Sequence, residues 1–85
     1  MIKVKLTGHI RTSVGAEEIE LAETEVDVSL LVDKVRAMSR QKDPGFNRFN
    51  TIALVEEGEA FVPAGEKRTL RDGQRVVLIP FSHGG

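Results

Sequence analysis

Few residues in this sequence have types and spacing that point to chemistry. Carboxylates occur in adjacent pairs at Glu17-Glu18 and Glu56-Glu57, with Asp72 apart. General acid–base work needs two groups whose surroundings push their proton affinities apart. Neither pair has a histidine or lysine partner implied by local spacing, so both read as solvated surface charge. Ser82 and His83 are adjacent, and neighbours at a chain end cannot hold the geometry of a serine–histidine–aspartate triad. His9 carries no signal, and two histidines so far apart in sequence suggest no zinc site. Cysteine is absent, which excludes a disulfide scaffold, a cysteine-ligated metal, an iron–sulfur cluster and a thiol nucleophile. The glycines form neither a phosphate-cradling loop nor a dinucleotide fingerprint. Arg68, Arg71 and Arg75 make a mild basic cluster, read as a solvated face or as a docking surface for an acidic partner.

The chain end is different. It closes on Gly84-Gly85, two residues without Cβ atoms and with nearly unrestricted φ. Such an end can thread as bare backbone through a narrow channel into another enzyme's active site. Its carboxylate is an unhindered nucleophile able to attack phosphorus, and the mixed anhydride formed with AMP is an activated acyl group. The dipeptide by itself is equally compatible with a frayed terminus where glycine is tolerated because nothing packs there.

The elements that would position this end follow from composition and periodicity. Eighty-five residues, 40% of them hydrophobic, suffice for one small domain with a single core. Twelve basic residues against thirteen acidic ones give a net charge of −1, which argues against nucleic-acid binding. No apolar run approaches the roughly 20 residues needed to cross a membrane, and the opening residues lack the apolar stretch of a signal peptide. The expectation is a soluble cytoplasmic domain without repeats, covering residues 1–81, with residues 82–85 as a flexible tail.

Residues 2–6 and 18–22 alternate apolar and polar, as half-buried strands do, and suggest an antiparallel hairpin. Residues 7–15 contain Gly8, Ser13 and Gly15 and read as a long connection. Over residues 28–40, Leu31, Val35 and Met38 fall on one helical face, with Asp27 or Ser29 as the cap and Arg36 and Arg40 near the end. The Pro44-Gly45 pair stops this helix, the one helix expected. Residues 46–50 are irregular. Residues 51–55 read as a buried strand, and residues 60–62 as a short piece pairing back before Pro63 breaks the chain. Asp72-Gly73 marks a tight turn into a last strand over residues 75–79, closed by Pro80. The expected fold is α+β, a mixed sheet of four to five strands packed on one main helix.

Residues 70–85 resemble the C-terminal signature of the MoaD/ThiS family of ubiquitin-like sulfur carriers. That signature has a leucine, a short gap, Asp-Gly, an apolar strand, a proline and a terminal Gly-Gly. Leu70, Asp72, Gly73, Val76, Leu78, Pro80, Gly84 and Gly85 stand at the matching positions. The element order over the whole chain is similar to the ubiquitin-like β-grasp. Gln74 replaces a second acidic residue common in the family, and Phe81 replaces a second proline common in molybdopterin-synthase small subunits.

The resemblance implies that a ubiquitin-activating-type adenylyltransferase adenylates the Gly85 carboxylate with ATP and Mg²⁺. A persulfide donor then converts it to a thiocarboxylate. Gly85, with Gly84, His83 and Ser82 as its tail, would donate that sulfur to a downstream synthase in molybdopterin, thiazole, tRNA or metabolite biosynthesis. The carrier would bind no cofactor and would not itself be an enzyme. The alternative is a protein modifier joined through Gly85 to lysines of a target protein, a role the resemblance to small archaeal modifier proteins allows. Neither reading calls for nucleic acid or membrane. Strand alternation adds a docking expectation. If Val76 and Leu78 face the helix-covered core, then Val77, Ile79 and Phe81 lie on the opposite face, where apolar residues suggest partner binding. The competing expectation is that Phe61 or residues 46–50 cover them.

Overall fold

The computed structural model describes residues 1–42 and 44–81. Among these residues the chain runs β1 (Ile2–Leu6), α1 (Gly8–Val14), β2 (Glu18–Leu21), β3 (Glu25–Asp27), α2 (Val28–Ala37), β4 (Thr51–Glu57), β5 (Ala60–Ala64), β6 (Thr69–Arg71) and β7 (Arg75–Pro80). The strands form a five-stranded mixed sheet in the order β2-β1-β7-β4-β5, with β3 and β6 as a separate antiparallel pair. β1 and β7 run parallel at the centre, with Val4 opposite Val76 and Leu6 opposite Leu78. This is the ubiquitin-like β-grasp, an α+β fold.

Period-2 patterning sets the two faces. Ile2, Val4, Leu6, Ala53, Val55, Val76 and Leu78 are buried under α2, whose Leu31, Val32 and Val35 are also fully buried. Asp27 caps α2 by accepting from the Leu30 N–H at 2.7 Å, which satisfies one of the free donors of the first turn. The helix ends at Ala37 rather than at residue 40. Met38 is therefore its C-cap, 42% exposed, and not part of the buried stripe.

The expected long connection over residues 7–15 instead holds a second helix, α1. Ile10, Ser13 and Val14 place a buried face at i, i+3 and i+4, and Gly15 ends the helix at φ +81. A seven-residue helix has little stability of its own, so packing holds it rather than propensity. The buried Ser13 hydroxyl lies 2.7 Å from the Ser39 hydroxyl and 3.1 Å from Gln41 Oε1. The Arg40 N–H donates to the Ser13 carbonyl at 2.8 Å, fastening α1 to the chain leaving α2.

Pro63 does not break the chain where expected, because β5 runs through it to Ala64. β5 is an edge strand, and proline is tolerated there since one side of the strand has no ladder to supply. Gly58, at φ +63, opens the two-residue turn between the paired Glu57 and Ala60, as a type II′ hairpin requires. The β3–β6 pair had no sequence signal, each strand being three residues long. No helix among the described residues is long and apolar enough to cross a membrane.

Candidate functional site

β7 lies at the centre of the sheet, and the chain leaves this strand at Pro80. Three contacts fix that exit. Thr7 Oγ1 donates to the Leu78 carbonyl at 2.9 Å. Gly8, at φ +54, lies so near Pro80 that a Cβ there would be 2.8 Å from the proline Cγ. The Phe81 N–H donates to the Asn50 carbonyl at 2.9 Å. Gly85, Gly84, His83 and Ser82, the carrier site expected from the sequence, lie outside the described residues.

Upstream, the Asp72-Gly73 turn forms as expected. Gly73 takes φ +92, and the Gln74 N–H donates to the Arg71 carbonyl at 3.0 Å, the arrangement of a type II turn. Gln74 Oε1 accepts from the Arg71 N–H at 2.6 Å. An amide oxygen thus supplies an acceptor that an acidic side chain would also offer. Asp72 binds the N-terminal ammonium, and the Gly73 N–H donates to the Met1 carbonyl at 2.9 Å. The turn therefore locks the start of β1 to the start of β7.

On the sheet face away from the helices, Val77 stands opposite Leu54 and Ile79 opposite Ile52. Val77, Ile79 and Phe81 are each half-buried, while Ile52 is 39% and Phe61 51% exposed. Residues 46–50 divide: Phe46 turns into the core at 1% exposure and Phe49 turns out at 69%. Phe61 lies beside Val77 in a groove of about 340 Å³, which Lys3, Lys5, Glu18, Glu56 and Arg75 also line. An apolar strip with a charged border is thus open on this face.

The remaining candidates have structural partners. Glu56 and Glu57 point to opposite faces and pair with Arg75 (3.5 Å) and Arg68 respectively. Arg75 also reaches Glu18 at 4.0 Å, and Arg71 reaches Glu25 at 3.6 Å. The three arginines are thus shared out among separate carboxylates and do not form one basic cluster. His9 belongs to α1, its ring 6.4 Å from that of Phe46. No group of three or more metal-ligating side chains gathers among the described residues. Glu23 accepts a 2.8 Å contact from Lys34. That hydrogen bond and its own backbone N–H hold its carboxyl below the usual range.

The sequence matches no protein-family model and no curated protein. Among the solved structures that are similar, two match over almost their whole length. "Crystal structure of SAMP1 from Haloferax volcanii" has a TM-score of 0.67 at 15% identity, covering 99% of this chain and 98% of that one. "Putative molybdopterin converting factor, subunit 1 from Pyrococcus furiosus" has a TM-score of 0.65 at 21% identity, covering 95% and 97%. At such identities the likeness is one of fold, the β-grasp that the C-terminal signature implies.

Proposed function

We propose that this β-grasp chain is a ubiquitin-like sulfur carrier whose reactive group is the carboxylate of Gly85. The observation that carries the reading is the place of β7. The central strand leads past an open apolar strip to an exit fixed by Thr7, Gly8 and Asn50, and Gly84-Gly85 closes the sequence that follows. The fold neighbours share this β-grasp, and the name of one, "Putative molybdopterin converting factor, subunit 1", is in keeping with the carrier reading.

In this reading a carboxylate oxygen of Gly85 attacks the α-phosphorus of ATP on a ubiquitin-activating-type adenylyltransferase. Pyrophosphate leaves and an acyl-adenylate remains. The terminal sulfur of a persulfide donor attacks the acyl carbon and expels AMP. A second thiol then reduces the acyl disulfide, which leaves the thiocarboxylate on Gly85 and a disulfide on the thiol pair. ATP and Mg²⁺ belong to the activating enzyme, and this chain acts as co-substrate without catalysing a step. Val77, Ile79 and Phe81 supply the apolar contact with that enzyme.

Incubation with ubiquitin-activating-type adenylyltransferases of the same genome, ATP and a persulfide donor, read by intact mass, tests the proposal. Exchange of one oxygen for sulfur at the C-terminus is expected, with no exchange after deletion of Gly85. Activation of the truncated protein would overturn it. Attachment to target lysines, seen as a Gly-Gly remnant, would instead assign the modifier role built on the same first step.

A further inference from the structure

The structure carries a second exposed feature at the β7 exit, separate from the sheet face. Residues 45–50 form neither helix nor strand, yet their backbone is closely braced. Asn47 Oδ1 accepts from the Phe49 N–H at 2.8 Å, and Asn50 Oδ1 accepts from the Asn47 N–H at 2.7 Å. Asn50 Nδ2 donates to the Gly45 carbonyl at 3.2 Å, and its N–H donates to the Asn47 carbonyl at 3.2 Å. Asparagine side chains here supply hydrogen bonds that a ladder or helix would otherwise provide. From inside, Phe46 roots the loop in the core and its carbonyl accepts from Arg36 Nε at 3.0 Å.

This rigid loop displays Phe49 at 69% exposure, the most exposed of the large apolar side chains. The Arg48 guanidinium sits over its ring, 5.2 Å from the centroid, and one of its nitrogens donates to Ser29 Oγ at 2.9 Å. An aromatic held out in water on a pre-ordered loop, with a fixed cation over it, loses little freedom when a partner covers it. Buried aromatic and arginine anchors of this kind dominate interface energies. The loop is also tied to the chain exit, since Asn50 accepts the Phe81 N–H.

Charge selects the occupant. Arg36, Arg40, Lys42 and Arg48 lie between residues 36 and 50 against one acidic residue, Asp43. Arg11 adds to them from α1. Among the described residues none of these five cations has a carboxylate within ion-pair reach, whereas Lys34, Arg68, Arg71 and Arg75 all do. At the loop itself, Arg48 over the Phe49 ring and Arg36 on the Phe46 carbonyl are thus cations with no ion-pair partner among the described residues.

We infer that Phe49, with Arg48 over its ring, is a docking anchor that enters an apolar recess rimmed by carboxylates on the activating adenylyltransferase. The inference rests on the functional reading above and adds a contact outside the sheet face. The hydrogen bond from the Phe81 N–H to the Asn50 carbonyl joins this loop to the end of β7, so a partner that holds Phe49 also meets the β7 exit.

The test measures pyrophosphate release by the adenylyltransferase with ATP and Mg²⁺, varying the concentration of wild type, Phe49→Ala and Arg48→Glu. Circular dichroism and urea midpoints verify that each variant is folded. Phe49→Ala should raise KM about tenfold or more with kcat unchanged, because the anchor binds and takes no part in chemistry. Arg48→Glu should lower kcat/KM and weaken its fall with added salt. Wild-type kinetics for both folded variants would overturn the anchor while leaving the functional reading in place. A concentration-dependent dimer of wild type that Phe49→Ala abolishes, with KM unchanged, would overturn it in favour of a second copy of this chain. Failure of wild type itself to be activated would remove the functional reading, and the anchor with it.

Discussion

Gly8 lies beneath Pro80, in a left-handed conformation and with no room for a Cβ between them. This pair joins the start of α1 to the point where the chain leaves β7. Gly8→Ala would meet two penalties, the left-handed backbone at about 1–2 kcal/mol for an L residue and the clash with the proline ring. The variant should lose about 2 kcal/mol or more, read as a lower urea midpoint with an unchanged slope. Because Pro80 would be displaced, kcat/KM for activation should fall as well. An unaltered midpoint would show that the contact is loose.

Ile79 and Leu78 are adjacent but face opposite sides of the sheet, Leu78 fully buried and Ile79 half-buried beside Ile52. Ile79→Asp should leave the thermal midpoint nearly unchanged and weaken binding to the activating enzyme by about tenfold or more, the loss typical of a buried interface residue. Leu78→Asp should unfold the domain, since it buries an unpaired charge. Calorimetry and titration binding separate the two effects. If Ile79→Asp unfolds the chain, Ile79 belongs to the core and the docking strip is lost.

Phe46 and Phe49 are the same residue type three positions apart, with opposite duties. Phe46→Ala removes a fully buried ring and should cost about 3–5 kcal/mol in unfolding free energy. Phe49→Ala touches an exposed ring and should change stability by no more than about 0.5 kcal/mol. Equal losses in urea unfolding would contradict this division.

Glu23 should titrate below an ordinary glutamate, because the Lys34 ammonium and its own backbone N–H favour its ionised form. A carboxyl whose folded pKa lies below its unfolded one adds stability above the unfolded value and loses it as pH falls through the folded value. Lys34→Met should bring the Glu23 titration, followed by NMR, back toward the usual carboxylate range. The pair lies at the surface, so its effect on unfolding should be small and weaken further with salt.

Legible without a structure were the parts of this protein whose pattern or composition extends over five or more residues. β1 and β2 follow from alternation, the Leu31–Val35 face of α2 from helical spacing, and β4 and β7 from runs of β-branched and apolar residues. Asp72-Gly73 announces its turn because glycine readily takes the positive φ found there. The inward set of Val76 and Leu78 and the outward set of Val77 and Ile79 follow from the same alternation. What escaped it were the short and aperiodic pieces. α1 spans the seven residues Gly8–Val14, and β3 and β6 three residues each. Such pieces are too short to show a period and exist only where distant residues cover them. Tertiary packing also decided that Met38 falls outside the buried stripe, that Pro63 is admitted at an edge, and that Phe46 turns inward while Phe49 turns out. In a loop, direction comes from the hydrogen bonds that brace the backbone, here those of Asn47 and Asn50. No local spacing rule encodes it.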